Sequence, residues 1–202
     1  MTTLTMRIAD AIASAKVVVT GTSDDKVTPI LLTASWDAEA NTLFATDRYC
    51  VVAYHVADAE HDGDEQVIIP RELLTWVGKQ KPEYDRHVRY TMGQDVVTAE
   101  LIDSQGTVYG SSVTSRITGN VPPVMRLLND FKPASDAVPV ALNPVLLKRV
   151  LTGVTGFGSG DAKKEPITFE TSEGYKSKPG PVRITRGPLS ILLQPNYLVA
   201  QR

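Results

Sequence analysis

Cysteine is nearly missing from this chain of 202 residues, where Cys50 stands alone. A single thiol excludes an internal disulfide framework and any zinc site built from several cysteines, and it suits a reducing compartment. Positive charge is not in surplus either: 21 Lys and Arg face 23 Asp and Glu, a formal net charge of −2. Global attraction to nucleic acid is thereby excluded, so a nucleic-acid surface would have to come from segregated charge. No apolar run is long enough for a transmembrane helix. The opening Met1-Thr-Thr-Leu-Thr-Met-Arg7 has no basic segment leading into an apolar core, so it does not read as a secretory signal. These gaps predict a cytoplasmic protein without membrane contact.

The chemistry of catalysis is equally thin. His55, His61 and His87 have no Cys or carboxylate partners at metal-ligand spacing, and His61-Asp-Gly-Asp-Glu65 lacks the spaced oxygens of a calcium loop. Cys50 has no activating base nearby in sequence and reads as a small buried hydrophobe. Gly156-Phe-Gly-Ser-Gly160-Asp-Ala-Lys163-Lys164 resembles a phosphate cradle only in composition. Its Lys is not adjacent to the last Gly, no Ser or Thr follows, and the segment leaves a helix instead of entering one. The expectation is no metal, no cofactor and no enzymatic reaction.

What is present is repetition. Residues 7–19 carry Ile8, Ala11, Ile12 and Ala15 at spacings of three and four, the stripe of a one-sided helix. Strand-like sequence follows over 29–36 and 42–55, split by the polar turn 37–41, and the charged loop 61–65 closes the unit. A second round opens with a short strand over 66–69, Pro70 at a helix's first position and an apolar-striped helix over 71–77 that stops at Lys81-Pro82. Strands over 87–92, 96–102 and 107–117 complete it, separated by turn clusters at 93–95 and 103–106. A connector over 118–137 leads to a third round: a strand over 138–142, Asn143 as N-cap before Pro144, a helix over 145–151, and strands over 166–171, 182–186 and 189–193.

A sheet with one helix on one face cannot bury its core alone, so such units must pair. Two of three can close on each other, which leaves the third seeking a partner in another chain. Charge is divided along the same lines. The three helical segments (7–16, 70–82 and 144–153) hold seven basic and two acidic residues, a net +5, which leaves −7 for the remainder. Solvated helix faces account for any one of them, but three of the same sign suggest a shared basic surface.

Phe44-Ala-Thr-Asp-Arg-Tyr-Cys-Val-Val-Ala53, followed by Val67-Ile-Ile-Pro-Arg-Glu-Leu-Leu74, resembles the DNA sliding clamp, the β subunit of bacterial DNA polymerase III. That family has an Ala-Thr-Asp-x-(aromatic or His)-Arg-Leu-Ala segment in its middle domain and then a hydrophobic-Pro-x-x-Leu-Leu entry into a helix. Val121-Pro122 with Arg126-Leu127-Leu128 is similar to the family's Phe-Pro-x-x-x-Arg-x-Leu linker. Pro181-Val-Arg-Ile184 and Ile191-Leu-Leu-Gln-Pro-Asn-Tyr-Leu198 resemble its final strands. Residues 1–130 align with the middle domain and 138–198 with the second half of the last one, a shortened, phage-type form. Cys50 stands where the family usually has Arg, Gln194 and Asn196 replace hydrophobic residues around Pro195, and Tyr197 replaces a basic one.

The resemblance implies an α+β processivity-clamp fold: three strand–helix–strand units with helices on one face and antiparallel sheets on the other. A two-unit domain would span 1–125, a linker 126–137 and the third unit 138–202. It implies a homo-oligomeric ring around duplex DNA, with Arg7, Lys16, Arg71, Lys79, Lys81, Lys148 and Arg149 facing phosphates without sequence preference. A ring of twelve units, as in cellular clamps, would take four such chains, their sheet edges joined head to tail. It further implies a cleft for short peptide motifs of a DNA polymerase and a clamp loader, lined by Leu31, Thr46, Tyr49, Cys50, Val51, Pro122, Leu127, Leu193, Gln194 and Asn196. An alternative on the same residues is a clamp-like adaptor or decoy that binds a replisome or transcription component without forming a ring.

Overall fold

The computed structural model describes residues 1–24, 27–83, 85–133, 140–156, 165–172 and 180–195. The first unit is β1 (Thr2–Arg7), α1 (Ile8–Val18), β2 (Thr33–Asp37), β3 (Thr42–Thr46), β4 (Cys50–His55) and β5 (Ala59–Asp62). The second is β6 (Ile68–Pro70), α2 (Arg71–Gly78), β7 (His87–Met92), β8 (Val96–Ile102) and β9 (Val108–Ser115). A short helix α3 (Val124–Asn129) precedes the third, which comprises α4 (Pro144–Thr155), β10 (Thr168–Thr171), β11 (Val182–Arg186) and β12 (Leu189–Leu193). The fold is α+β.

Two antiparallel sheets result, with strand orders β5-β1-β7-β8-β9 and β10-β11-β12-β4-β3-β2-β6. The first strand of each early unit crosses into the other's sheet: β1 pairs with β7, and β6 pairs with β2. This exchange locks the first two units together as pseudo-twofold halves. The third unit joins differently, because β12 lies antiparallel on β4 over five residue pairs, from Leu189 opposite Tyr54 to Leu193 opposite Cys50. One seven-stranded sheet therefore runs from the third unit into the first.

The strand and helix choices follow from sequence locally. In β7, Val88, Tyr90 and Met92 alternate inward with half-exposed neighbours, the period of two expected of a half-buried strand. Asn143 caps α4: its side-chain oxygen accepts from the amides of Val145 at 2.9 Å and Leu146 at 3.4 Å. α1 packs against α2 and α4 and touches strands of both sheets, so the principal core lies between the sheets and this helix layer. Gly153 of α4 permits the approach, since a Cβ there would sit 3.0 Å from Cγ2 of Thr20 just past α1. Arg186, almost wholly buried, donates to the carbonyl of Val154 at 2.6 Å and ties β11 to the end of α4.

Several expectations need correction. The chain opens on a strand, and Arg7 ends β1 instead of starting the helix. Its Thr-rich stretch buries Thr2, Leu4 and Met6 on alternate positions, and β-branched threonines suit the pleat. The expected strand over 29–36 begins with a 3-10 turn at Pro29–Leu32, and the expected loop at 61–65 begins inside β5, which pairs with β1. Pro70 closes β6 and caps α2, so the first helical residue is Arg71. The linker expected over 126–137 contains most of α3, and this helix lies on the sheet face opposite the other three. There Val124, Met125 and Leu128 pack on Phe44, Val51, Ala53 and Leu192. Residues 140–142 form no named strand, and the rest of the strand expected over 138–142 lies outside the described residues, as does 157–164 of the glycine-rich loop.

Candidate functional site

The turn between β3 and β4 is built by two side chains. Asp47 Oδ1 accepts from the amides of Tyr49 at 3.0 Å and Cys50 at 2.8 Å, an Asx-type turn. The Thr46 hydroxyl donates to the Cys50 carbonyl at 2.7 Å and accepts from the Arg48 amide at 3.2 Å. Arg48 takes a left-handed conformation, φ +78°, which turns the chain back within three residues. The result pushes Tyr49 into solvent, 65% exposed, while Cys50 and Val51 return into the sheet. The β12 ladder extends to this turn, the amide of Gln194 donating to the Tyr49 carbonyl at 3.0 Å.

Three separate stretches meet here. The 3-10 turn brings Leu31, the connector brings Pro122, Val124 and Leu127, and the end of β12 brings Leu192 and Gln194 beside Thr46, Tyr49, Cys50 and Val51. They line an open cleft of about 370 Å³ whose walls are mostly apolar, with Arg48 and Pro181 completing it. Cross-strand neighbours share a face, and Val51 lies opposite Leu192, so these two form a common floor. Concave apolar surface with a few polar groups at the rim is the form of a ligand site.

Eight of the ten residues expected in this cleft are therefore brought together: Leu31, Thr46, Tyr49, Cys50, Val51, Pro122, Leu127 and Gln194. Leu193 is not among them. It is fully buried in the principal core on the other face of β12, and its neighbour Leu192 takes the place expected for it. Asn196 lies outside the described residues. Arg48, Val124, Pro181 and Leu192 were missed. For Leu192 the signal was available, since pairing β12 with β4 puts it beside Val51.

A second depression of about 310 Å³ adjoins the cleft and shares Tyr49 and Gln194 with it. Asn143, Val145, Leu146 and Arg149 of the third unit form its other wall, together with Asp47. Here Arg149 makes an ion pair with Asp47, and its Nη2 also lies 3.7 Å from the Cys50 sulfur. Burial works against the Arg149 charge, but the Asp47 bond and charge prevail and hold its pKa above the usual value. Arg149 thus links α4 to the β3–β4 turn, and of the residues expected to face DNA it is one already held in an ion pair.

The other basic residues divide. Lys16, Lys79, Lys81 and Lys148 are exposed, on or just after α1, α2 and α4. Lys16 lies against α2, its Cγ 3.3 Å from where a Cβ of Gly78 would stand. Arg7 pairs with Asp58 at 3.2 Å, and Arg71 pairs with Asp24 and donates to the Ser23 carbonyl at 3.3 Å. Neither Arg is a bare cation.

Burial, reinforced by the neighbouring Asp47 carboxylate and only partly opposed by Arg149, pushes the Cys50 thiol from 9.0 up to about 12. The folded thiol stays neutral where an unfolded one ionises. Its contribution to stability is thus full below about pH 9 and is lost as pH rises from there towards 12. Iodoacetamide at pH 8 is expected to label Cys50 far more slowly in the native chain than in denaturant, because the thiolate is the nucleophile. Equal labelling rates would overturn this account of the thiol. Among the described residues no group of three His, Cys, Asp or Glu could hold a metal ion, and no helix is long and apolar enough to cross a membrane.

No protein-family model and no curated protein matches the sequence. Solved structures do match. The DNA polymerase III β subunit of Borrelia burgdorferi, in complex with a natural product, superposes with a TM-score of 0.67 at 10% identity, over 97% of this chain and 64% of that one. The sliding clamp of Bartonella birtlesii bound to griselimycin gives 0.64 at 12% identity, over 96% and 65%. That of Bacillus subtilis gives 0.62 at 14%, over 96% and 64%. This chain accordingly spans just under two thirds of the length of those clamps. With its antiparallel sheets, its paired units and nearly its whole length superposed, the fold of this chain is that of the bacterial DNA sliding clamp.

Proposed function

We propose that the chain is a DNA sliding clamp, a processivity factor that closes by self-association into a ring around duplex DNA. It would tether a DNA polymerase, and be recognised by a clamp loader, through short peptide motifs. The observation that carries this reading is the apolar cleft where the β3–β4 turn, the connector and the end of β12 converge. An extended peptide suits it: a Leu or Phe anchor on the floor of Leu31, Val51 and Leu192, and backbone or amide contacts with Thr46 and Gln194 at the rim. No reaction is catalysed in this reading. A ring that cannot leave DNA sideways raises the effective concentration of its bound partner there, which is tethering without tight binding. The setting is the cytoplasm.

Lys16, Lys79, Lys81 and Lys148 are the DNA-facing set that remains exposed, and Arg7 and Arg71 contribute only if their ion pairs open. Contacts of this type are independent of sequence and weaken as salt rises. The test is retention on DNA. Chains assembled on circular duplex should stay bound through a high-salt wash and fall off once the circle is cut, because topology does not depend on counterion release. Replacing the four lysines together by Ala should weaken binding to linear duplex and lower the slope of log K against log salt by roughly 3 to 4, with the fold unchanged. An unchanged slope would overturn the lysine assignment. Loss from circular and linear DNA alike, with peptide binding intact, would replace the ring by the adaptor reading.

A further inference from the structure

Charge at the mouth of the cleft is not balanced. Eight arginines of the described residues, Arg149 among them, lie within ion-pair distance of a carboxylate. Arg48, which is exposed and lines the cleft, has no such partner among the described residues. Its Nη2 donates instead to the Thr28 hydroxyl at 2.5 Å. A hydroxyl holds a guanidinium in place without cancelling its charge and leaves most of its N–H donors free. The acidic neighbour is committed elsewhere, because Asp47 Oδ1 accepts from the turn amides and Oδ2 from Arg149.

The backbone sets the same residue apart. Three non-glycine residues take a left-handed φ among the described residues: Asn41 at +47°, Arg48 at +78° and Asp85 at +62°. Asn and Asp tolerate this region because their short side chains bond locally, an aid that Arg lacks. Glycine would make the turn without strain. Nor does the turn use the Arg48 side chain, since its side-chain bonds come from Thr46 and Asp47. Strain kept beside a concave surface calls for a use of that side chain there. Thr28 immediately precedes the 3-10 turn that carries Leu31, so the bond holds the guanidinium beside the segment that supplies part of the floor.

We infer that Arg48 is a specificity-determining residue of the cleft: it pairs with a side-chain carboxylate of the docked segment and selects acidic peptides over neutral ones with the same apolar anchor. This rests on the reading of the cleft as a peptide site. Arg suits the task because its planar fork meets a carboxylate with two parallel N–H bonds. The cleft is open, so a segment can pass through it without ending there, and the carboxylate is that of an Asp or Glu within the motif. As the apolar anchor seats and water leaves, the pair gains over an ion pair on bare surface.

The test uses amidated Gln-x-x-Leu-Phe peptides that carry Asp, or its isostere Asn, at each x in turn, titrated calorimetrically into the full chain. At one position or both, the Asp peptide is expected to bind about five- to tenfold more tightly than its Asn counterpart, with a ratio that shrinks as salt rises. Arg48→Gln removes the charge but keeps a polar side chain, and should bring the ratio within about twofold of unity. The ratio is the readout because Arg48 also walls the cleft, so either affinity alone moves with packing. Arg48→Gly should lose the same preference while melting no lower than the parent, since glycine relieves the left-handed backbone. A preference kept in Arg48→Gln, or Asp and Asn peptides bound equally by the parent at both positions, overturns the inference and leaves the cleft as a peptide site. A preference for the free C-terminal acid over the amide, with Asp and Asn equal, overturns the side-chain assignment. Absence of binding by every peptide overturns both readings.

Discussion

Leu127→Asp is expected to abolish capture of a short Gln-x-x-Leu-Phe peptide while the chain stays folded and its association state is unchanged. Leu127 projects from α3 into the cleft with 57% of its surface exposed, so the fold loses little when it is replaced. A bound peptide would change that environment. The anchor side chain covers the floor of Val51, Val124 and Leu192, water is excluded, and a carboxylate at position 127 would be desolvated against that apolar floor. Micromolar affinity corresponds to roughly −8 kcal/mol, and a loss of about a hundredfold or more, near 2.7 kcal/mol, puts binding below detection in ordinary titration calorimetry. Unaltered heat on titration, alongside an unaltered melting curve, would show that the peptide does not use this cleft.

Local chemistry was legible in the residues themselves, whereas the gathering of distant stretches into one cleft was legible only through the family resemblance. Asn143 before Pro144 announces its helix because the cap needs only the next three residues. The Thr46-Asp47 pair likewise sets its own turn, every bond falling within four residues. β1 escaped because threonines at positions 2, 3 and 5 read as polar, although alternate members of the strand are buried. α3 escaped because it is six residues long behind two prolines, and its reason for being helical is the sheet face it covers. That face also explains the register error in β12. β3 and β4 are covered on both sides, by the main core and by α3, so both faces are apolar and alternation gives no guide. The ion pair of Arg149 escaped for a further reason: its carboxylate partner, Asp47, lies on the first unit, 102 residues away, and no periodicity predicts that pair.

The register of β12 leads to the largest expected effect on stability. Leu193 was expected in the cleft and is instead fully buried in the principal core, at the seam where the third unit joins the first, opposite Cys50. Leu192, one residue earlier, points to the other face and the cleft. Leu193→Ala removes a buried side chain from a seam that surrounding elements hold in place, so the cavity collapses only in part. Its cost is about 2–5 kcal/mol in unfolding free energy. Under conditions where that variant remains folded, its peptide affinity should stay within about twofold of the parent, a difference near 0.4 kcal/mol. Leu192→Ala should act on the other observable, lowering peptide affinity by roughly tenfold or more because half of the Val51–Leu192 floor is gone. Denaturant titration and calorimetry on the two variants separate the faces. Were Leu193→Ala to lose the peptide at little cost in stability while Leu192→Ala kept it, the register would be shifted by one residue and every side chain of β12 would change face.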